Sequence, residues 1–91
     1  MNSKYVWVIT DDYIDGSKAV GLVGPRGVPK GATVDKNEGQ AFRLKDDDGE
    51  VYYHGRIKGD YSGFEPLTDF GMPYAGCTTV ELREGSKWVR L

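Results

Sequence analysis

The chain has 91 residues, a formal net charge of −2 and a single cysteine. This length fits one small domain spanning residues 1–91, and one cysteine excludes an internal disulfide, so packing alone must hold the fold together. The longest apolar run, residues 5–9, is too short for a membrane span or for the core of a signal peptide. We therefore expect a cytoplasmic protein without a membrane partner, and the near-neutral charge gives no overall field that attracts nucleic acid.

Thirteen glycines and four prolines favour short strands joined by tight turns over a helix bundle. Residues 5–10 are β-branched or aromatic, which predicts a central strand that is apolar on both faces. Residues 18–23 predict a second, weaker strand that ends before a Gly-Pro turn. Thr33 is the predicted N-cap of a short helix that runs to Glu38 and is closed by Gly39.

The clearest predicted unit is a hairpin over residues 40–58, where apolar and polar residues alternate on both sides of an Asp-Asp-Asp-Gly turn. Two registers are open. A four-residue loop pairs Leu44 with Val51, whereas a two-residue turn pairs Leu44 with Tyr53 and sets two acidic residues side by side. We prefer the four-residue loop, because it avoids that repulsion and gains an opposite-charge pair. Both registers place the same residues on the same faces.

A second hairpin is predicted over residues 78–91, around a Gly85-Ser86 turn of type II′. Aliphatic residues then meet aliphatic residues and acids meet bases, so local and cross-strand preferences agree. The predicted pairs are Val80–Leu91, Glu81–Arg90, Leu82–Val89 and Glu84–Lys87. Between the hairpins, residues 60–76 predict an ordered loop held by apolar anchors, with one helical turn that starts at Pro66.

Together these elements predict a mainly β to α+β fold. The expected architecture is a small antiparallel sheet of four or five strands, curled or barrel-like, or covered on one face, with at most one short helix. No internal repeat or low-complexity segment divides the chain.

Three sequence patterns suggest chemistry, and each is better explained by structure. The acidic turn at residues 46–50 lacks calcium-loop spacing, because the twelfth position of an EF-hand would be Gly55 rather than Glu. The glycines at residues 21–27 match neither phosphate-binding fingerprint. Cys77 and His54 each occur once, and nothing in the sequence brings them together as nucleophile and base. We predict no metal, no cofactor and no catalytic residue.

The polar side of the first hairpin is the first predicted contact surface. Cations interleaved with an aromatic residue on a sheet are typical of surfaces that stack bases and follow phosphates; a protein partner is preferred here, and nucleic acid is the alternative. The competing interpretation is a solvated face whose lysines guard a sheet edge. The residues expected on this side are Arg43, Lys45, Tyr52, His54, Arg56 and Lys58.

The loop between the hairpins is the second predicted contact surface. It carries more aromatic and Met side chains than so small a domain can easily hide, and such residues are enriched at interface centres. Completion of the core is the alternative, and a homodimer would explain the loop without a foreign partner. The loop residues predicted to bind a partner are Phe64, Phe70, Met72 and Tyr74.

Residues 42–44, 46–57 and 63–78 read FRL, DDDGEVYYHGRI and GFEPLTDFGMPYAGCT. In these motifs the chain resembles short uncharacterised proteins of bacterial and of phage or prophage genomes, and the likeness covers residues 40–78. The resemblance implies a compact accessory protein of the kind that mobile elements carry, a set that includes stoichiometric inhibitors of host defence systems.

The sequence therefore predicts a non-catalytic binding protein that acts through protein–protein contact. Two alternatives come from other classes. One is a single-stranded nucleic-acid-binding module that uses the basic and aromatic sheet face. The other is a thiol-dependent enzyme that uses Cys77.

Overall fold

The computed structural model describes residues 5–25, 34–35 and 37–91, and in this part of the chain it shows one open, antiparallel sheet of six strands. The strands lie in the order β2-β1-β4-β3-β5-β6. Their bounds are β1 Tyr5–Asp12, β2 Val23–Gly24, β3 Gln40–Lys45, β4 Val51–Gly59, β5 Thr79–Glu84 and β6 Lys87–Arg90. The mainly β prediction is confirmed, but the predicted count of four or five strands is wrong, because six strands form in the part of the chain that the structure describes. The curled or barrel-like shape is wrong, because β2 and β6 form opposite edges of the sheet and do not pair with each other.

One helical segment, α1, covers one side of the sheet, which we call the helix face. The segment starts as a π turn over Leu67–Gly71 and continues as an α turn over Met72–Ala75. It ends at Gly76, whose φ of +71° favours glycine. The helical segment is therefore longer than the single turn predicted to start at Pro66. No helix among the described residues is long and apolar enough to cross a membrane.

The main core lies between the helix face and α1. Gly71 lets the segment approach closely, because a Cβ at this position would lie 2.9 Å from Leu44 Cδ1 and 3.2 Å from Cys77 Cβ. The sheet contributes Trp7, Ile9, Phe42, Leu44, Tyr53, Ile57, Val80 and Leu82, and the segment with its flanks contributes Leu67, Phe70 and Cys77.

Strand β1 lies between β2 and β4 and is buried on both sides, as the sequence predicts. Trp7 and Ile9 join the main core. Val6 and Val8 point to the opposite side of the sheet, the outer face, where Val34 covers them.

The second predicted strand is mostly wrong, because only β2 forms and residues 13–21 make turns. The Asp12 carboxylate organises these turns by accepting the backbone N–H groups of Ile14, Asp15 and Ala19, each at 3.0 Å. Desolvation raises the pKa of Asp12, but the three backbone bonds outweigh it and hold the pKa below its ordinary value. A segment predicted to form a strand from its apolar residues therefore forms a loop here.

The predicted helix from Thr33 to Glu38 begins outside the described residues, and Lys36 also lies outside them. Where the chain is described, the Glu38 N–H donates to the Asp35 carbonyl at 2.9 Å. This bond closes a turn, and the strand β3 starts directly after Gly39.

The first hairpin forms, but its preferred register is wrong. Leu44 pairs with Tyr53 and Lys45 with Val51, and Tyr52 is the extra residue of a β-bulge between these pairs. The Leu44–Tyr53 pair is that of the alternative register, and the Asp46 N–H donates to the Glu50 carbonyl at 3.0 Å, which leaves three residues, 47–49, between the bonded pair. The bulge shifts the pairing while leaving the rest of the alternation intact.

The terminal hairpin has the predicted register. Glu81 pairs with Arg90, Leu82 with Val89 and Glu84 with Lys87, and the Leu91 N–H donates to the Val80 carbonyl at 3.2 Å. Gly85 has a φ of +64° and Ser86 does not have a positive φ, as a type II′ turn requires.

Candidate functional site

Five of the six residues predicted on the polar side of the first hairpin lie together on the outer face. In β4 the side chains of His54, Arg56 and Lys58 alternate with core residues, and pairing places Arg43 directly beside His54. Lys45 reaches the same face, because its Nζ lies 3.2 Å from the carboxylate of Glu81.

Tyr52 does not lie on the outer face, so its predicted place there is wrong. Its ring packs against the main core, and the Asp46 carboxylate beside it raises the pKa of the Tyr52 hydroxyl through a hydrogen bond. The bulge explains the difference, because an inserted residue breaks the strict alternation of side chains.

The terminal hairpin completes the outer face, which sequence reasoning missed. Strand β5 pairs with β3 and sets Glu81 beside Arg43, and β6 pairs Trp88 with Arg83. The alternation along residues 79–90 does predict a polar side of this hairpin. This alternation does not predict that the polar side continues the surface of the first hairpin, because β3 and β5, which pair with each other, are far apart in the sequence.

Three of the outer-face cations are already paired with carboxylates. Glu81 bonds both Arg43 and Lys45, and the Lys58 Nζ lies 3.0 Å from Glu38. Burial raises the pKa of Glu81, but the two cations outweigh burial and lower it overall. These pairs neutralise much of the predicted basic patch.

Arg56 and Arg83 differ from Arg43, Lys45 and Lys58. All fourteen acidic residues of the chain lie in the described part, and none of them is within ion-pair distance of either guanidinium. Each guanidinium is held by a turn carbonyl instead: Arg56 Nη1 donates to Gly39 at 3.3 Å, and Arg83 Nε donates to Gly85 at 3.2 Å. Neither guanidinium is therefore part of an ion pair among the described residues, although Asp11 lines the same depression as both.

A row of rings crosses the same face. His54 lies 5.7 Å from Trp88 and 5.5 Å, edge to face, from Tyr13. The Arg43 guanidinium lies 4.4 Å from the centre of the Trp88 ring, a cation–π contact. Burial lowers the pKa of His54, more than Asp11 raises it. Burial thus favours the neutral form of His54, whose ring adds an aromatic surface to this face.

The second predicted surface is divided by α1. Phe64, Met72 and Tyr74 are 48%, 51% and 69% exposed, whereas Phe70 is buried. The prediction that Phe70 binds a partner conflicts with this position, because Phe70 packs on Trp7 and Tyr53 in the main core. Phe70 instead completes the core, which was the alternative to partner binding for this loop.

An apolar groove of about 440 Å³ runs between Tyr74 and Leu22. Its wall includes Asp69, whose Oδ2 accepts hydrogen bonds from the Tyr5 hydroxyl at 2.9 Å and from Trp7 Nε1 at 3.0 Å. These bonds tie α1 to β1, so the groove has a rigid wall.

The loop after β1 exposes four further apolar side chains that the sequence interpretation assigned to no contact surface. Their exposure follows from the turns that Asp12 organises. The four side chains are Tyr13, Ile14, Val20 and Leu22. An Asp followed by residues that favour turns was the only local signal for this loop.

The structure does not bring the two candidate residues of a thiol enzyme together. Cys77 is fully buried on the helix face, and burial raises the pKa of its thiol to about 11. His54 lies on the outer face. Among the described residues no group of three or more His, Cys, Asp or Glu side chains is arranged to hold a metal ion.

Comparisons of the chain with protein-family models, with curated proteins and with solved structures find no match.

Proposed function

We propose that this is a non-catalytic binding protein whose outer face contacts an acidic region of a protein partner. The observation that carries the proposal is that Arg56 and Arg83 form no ion pair with a described residue, on a sheet face where Arg43, Lys45 and Lys58 are paired. A charged group without an internal partner is available to an external one.

The chemistry of the outer face favours a protein as the partner. Arginine and tryptophan are the residues most enriched where binding energy concentrates at protein interfaces. A guanidinium presents a planar fork of donors that matches a carboxylate in two places. Trp88 is only partly buried, so it supplies apolar area beside this charge.

The position of Cys77 supports a non-catalytic role. A nucleophilic cysteine needs an accessible thiolate, whereas this thiol is buried and its pKa is raised to about 11. The resemblance of residues 40–78 to phage and bacterial proteins extends the proposal to an accessory protein that acts stoichiometrically on a host protein.

The test is affinity capture from a bacterial lysate with three forms of the protein: wild type, Arg83→Glu and Lys87→Glu. Both substitutions reverse one exposed cation in the same hairpin, but Lys87 pairs with Glu84 and faces the opposite side of the sheet from Arg83. We expect an acidic protein that is recovered by wild type and by Lys87→Glu, and that Arg83→Glu recovers at least about tenfold less, because like charges now face each other.

If Arg83→Glu and Lys87→Glu both recover every captured protein at the wild-type level, the outer face is removed from consideration. Recovery that both variants lose equally would indicate attraction by net charge alone. Circular dichroism of both variants checks that the fold is unchanged.

Single-stranded nucleic acid is the second candidate, favoured by the rings of His54 and Trp88 on a basic face. Arg43 covers one side of the Trp88 ring, which leaves less of it for a base to stack on. Titration with a fluorescent oligothymidine at low ionic strength distinguishes the candidates: binding that weakens steeply with added salt supports nucleic acid.

A further inference from the structure

The geometry points to a phosphate-binding site between Arg56 and Arg83. The inference rests on the proposed function, since it assigns one part of the same outer face to a specific group on the partner. We call this part the arginine hollow. It has a volume of about 380 Å³ and is lined by Gly39, Gln40, Ala41, Arg56, Arg83 and Gly85.

The strand register creates the arginine hollow. Ala41 pairs with Arg56 on one side, and the neighbouring Phe42–Leu82 pair sets Ala41 beside Arg83 on the other. Two arginines thus flank a methyl group across three adjacent strands, roughly 10 Å apart at their backbones. A side chain larger than alanine would fill the space between them.

The two guanidiniums are positioned but not saturated. Each one donates a single hydrogen bond to a backbone carbonyl, at Gly39 or at Gly85. A guanidinium has five N–H donors, so most donors on each side remain available for a ligand. The carbonyl bonds limit the rotation of both side chains, which reduces the entropy lost on binding.

The floor of the hollow is fixed. The Gln40 side chain donates to the Arg83 carbonyl at 2.9 Å and accepts from the Tyr61 hydroxyl at 2.7 Å. This amide ties β3 to the backbone of β5 below Arg83. One N–H and the carbonyl oxygen of the amide are engaged in these two bonds, which hold the Gln40 side chain in place.

The charge of the site matches a dianion. Two positive groups line the hollow, and none of its lining residues is acidic. Ala41, Arg56 and Arg83 also line the neighbouring depression, which contains Asp11 with Trp88 and His54. An anion between the two arginines is therefore favoured at the Gly39–Gly85 end, away from the Asp11 carboxylate. A phosphate monoester carries nearly two negative charges at pH 7 and accepts the bidentate bonds that arginine provides.

The experiment is an NMR titration of the full chain with inorganic phosphate at constant ionic strength, with acetate as the monoanionic control. We expect saturable shifts in the amides of residues 39–41, 56 and 83–85 with phosphate, and weaker binding of acetate. Arg56→Gln and Arg83→Gln should each weaken phosphate binding about tenfold, since each removes a pair of charge-assisted bonds. Lys87→Gln removes the same charge on the helix face and should change binding less than about twofold.

Ala41→Leu provides an independent test, because it fills the hollow and keeps both arginines. We expect it to abolish the saturable shifts. Retained phosphate binding in Ala41→Leu, or in the two arginine variants, would overturn the site. So would acetate that binds as tightly as phosphate.

The source of the phosphate is tested with a phosphoserine peptide and with oligothymidine, whose phosphodiesters carry one charge each. Tighter binding of the phosphopeptide supports a phosphorylated protein partner, and tighter binding of oligothymidine contradicts it. If phosphate does not bind but Arg83→Glu still loses a captured protein, the phosphate inference fails and the proposed function stands.

Discussion

The two faces of the sheet use alternate residues of the same strands, yet they are stabilised by different forces. On the helix face, Phe42, Leu44 and Ile57 are completely buried, and each such side chain contributes about 1.5–3 kcal/mol by leaving water. On the outer face, Arg43 and Lys58 pair with carboxylates in partial contact with solvent, where an ion pair contributes about 0–1 kcal/mol.

This difference separates stability from recognition within one thin sheet. The helix face holds the fold, and the outer face can change its charges at little cost to stability. A protein of this size can therefore present a specialised contact surface on the side that its core does not need.

The largest expected effect comes from removing an aromatic ring on the helix face. Phe70→Ala should lower the free energy of unfolding by about 3–5 kcal/mol, because Phe70 packs on Trp7 and Tyr53 in the main core. Urea denaturation measures the loss. Tyr74→Ala is the matched control: Tyr74 stacks on Phe70 but is 69% exposed, so its loss should cost less than about 1 kcal/mol. Similar losses in both variants would show that α1 does not complete the core.

A smaller effect concerns the link between β1 and α1 at alkaline pH. Burial and then the hydrogen bond to Asp69 raise the pKa of Tyr5 from 10.0 to about 12. The folded state keeps the Tyr5 hydroxyl proton to a higher pH than the unfolded chain does. The stability that this hydroxyl contributes to the fold is therefore complete below pH 10 and is lost as the pH rises from 10 to 12.

We expect Tyr5→Phe to reduce the loss of stability between pH 10 and pH 12, measured by urea denaturation. Part of the loss should persist, because burial also raises the pKa of Tyr53 to about 12. Tyr13→Phe changes an exposed hydroxyl and serves as the control. An unchanged pH dependence in Tyr5→Phe would contradict the role given to the Tyr5–Asp69 bond.

The smallest effect on stability is expected on the outer face. Glu81→Gln should cost about 0.5–1.5 kcal/mol, but it releases both Arg43 and Lys45. Glu84→Gln, on the helix face, changes the net charge equally. On a cation-exchange column Glu81→Gln should elute at higher salt than Glu84→Gln, and co-elution would mean that Glu81 does not mask the outer-face cations.

The two hairpins show how far the sequence determines pairing. In the terminal hairpin a two-residue turn, Gly85-Ser86, leaves one register, and the observed pairs follow from it. In the first hairpin the turn is followed by a bulge at Tyr52. Both registers considered for this hairpin place the same residues on the same faces, so the faces of Arg43 and Arg56 were predictable. The bulge was not, because it depends on packing of the Tyr52 ring against the main core.

The loop between the hairpins shows a second limit. Phe70 and Tyr74 are both aromatic and lie four residues apart, so local pattern treats them alike. Only the docking of α1 on Trp7 and Tyr53 buries one and exposes the other.

The sequence by itself determined the β-rich class, the central position of β1, the terminal register and the alternation that points Arg43, His54 and Arg56 away from the core. These features follow from turn chemistry and side-chain period, which act over a few residues. The tertiary structure decided that β5 lies beside β3, and with it the meeting of Arg56 and Arg83 around Ala41. That meeting joins residues far apart in sequence, and their proximity depends on how the whole chain buries its apolar surface.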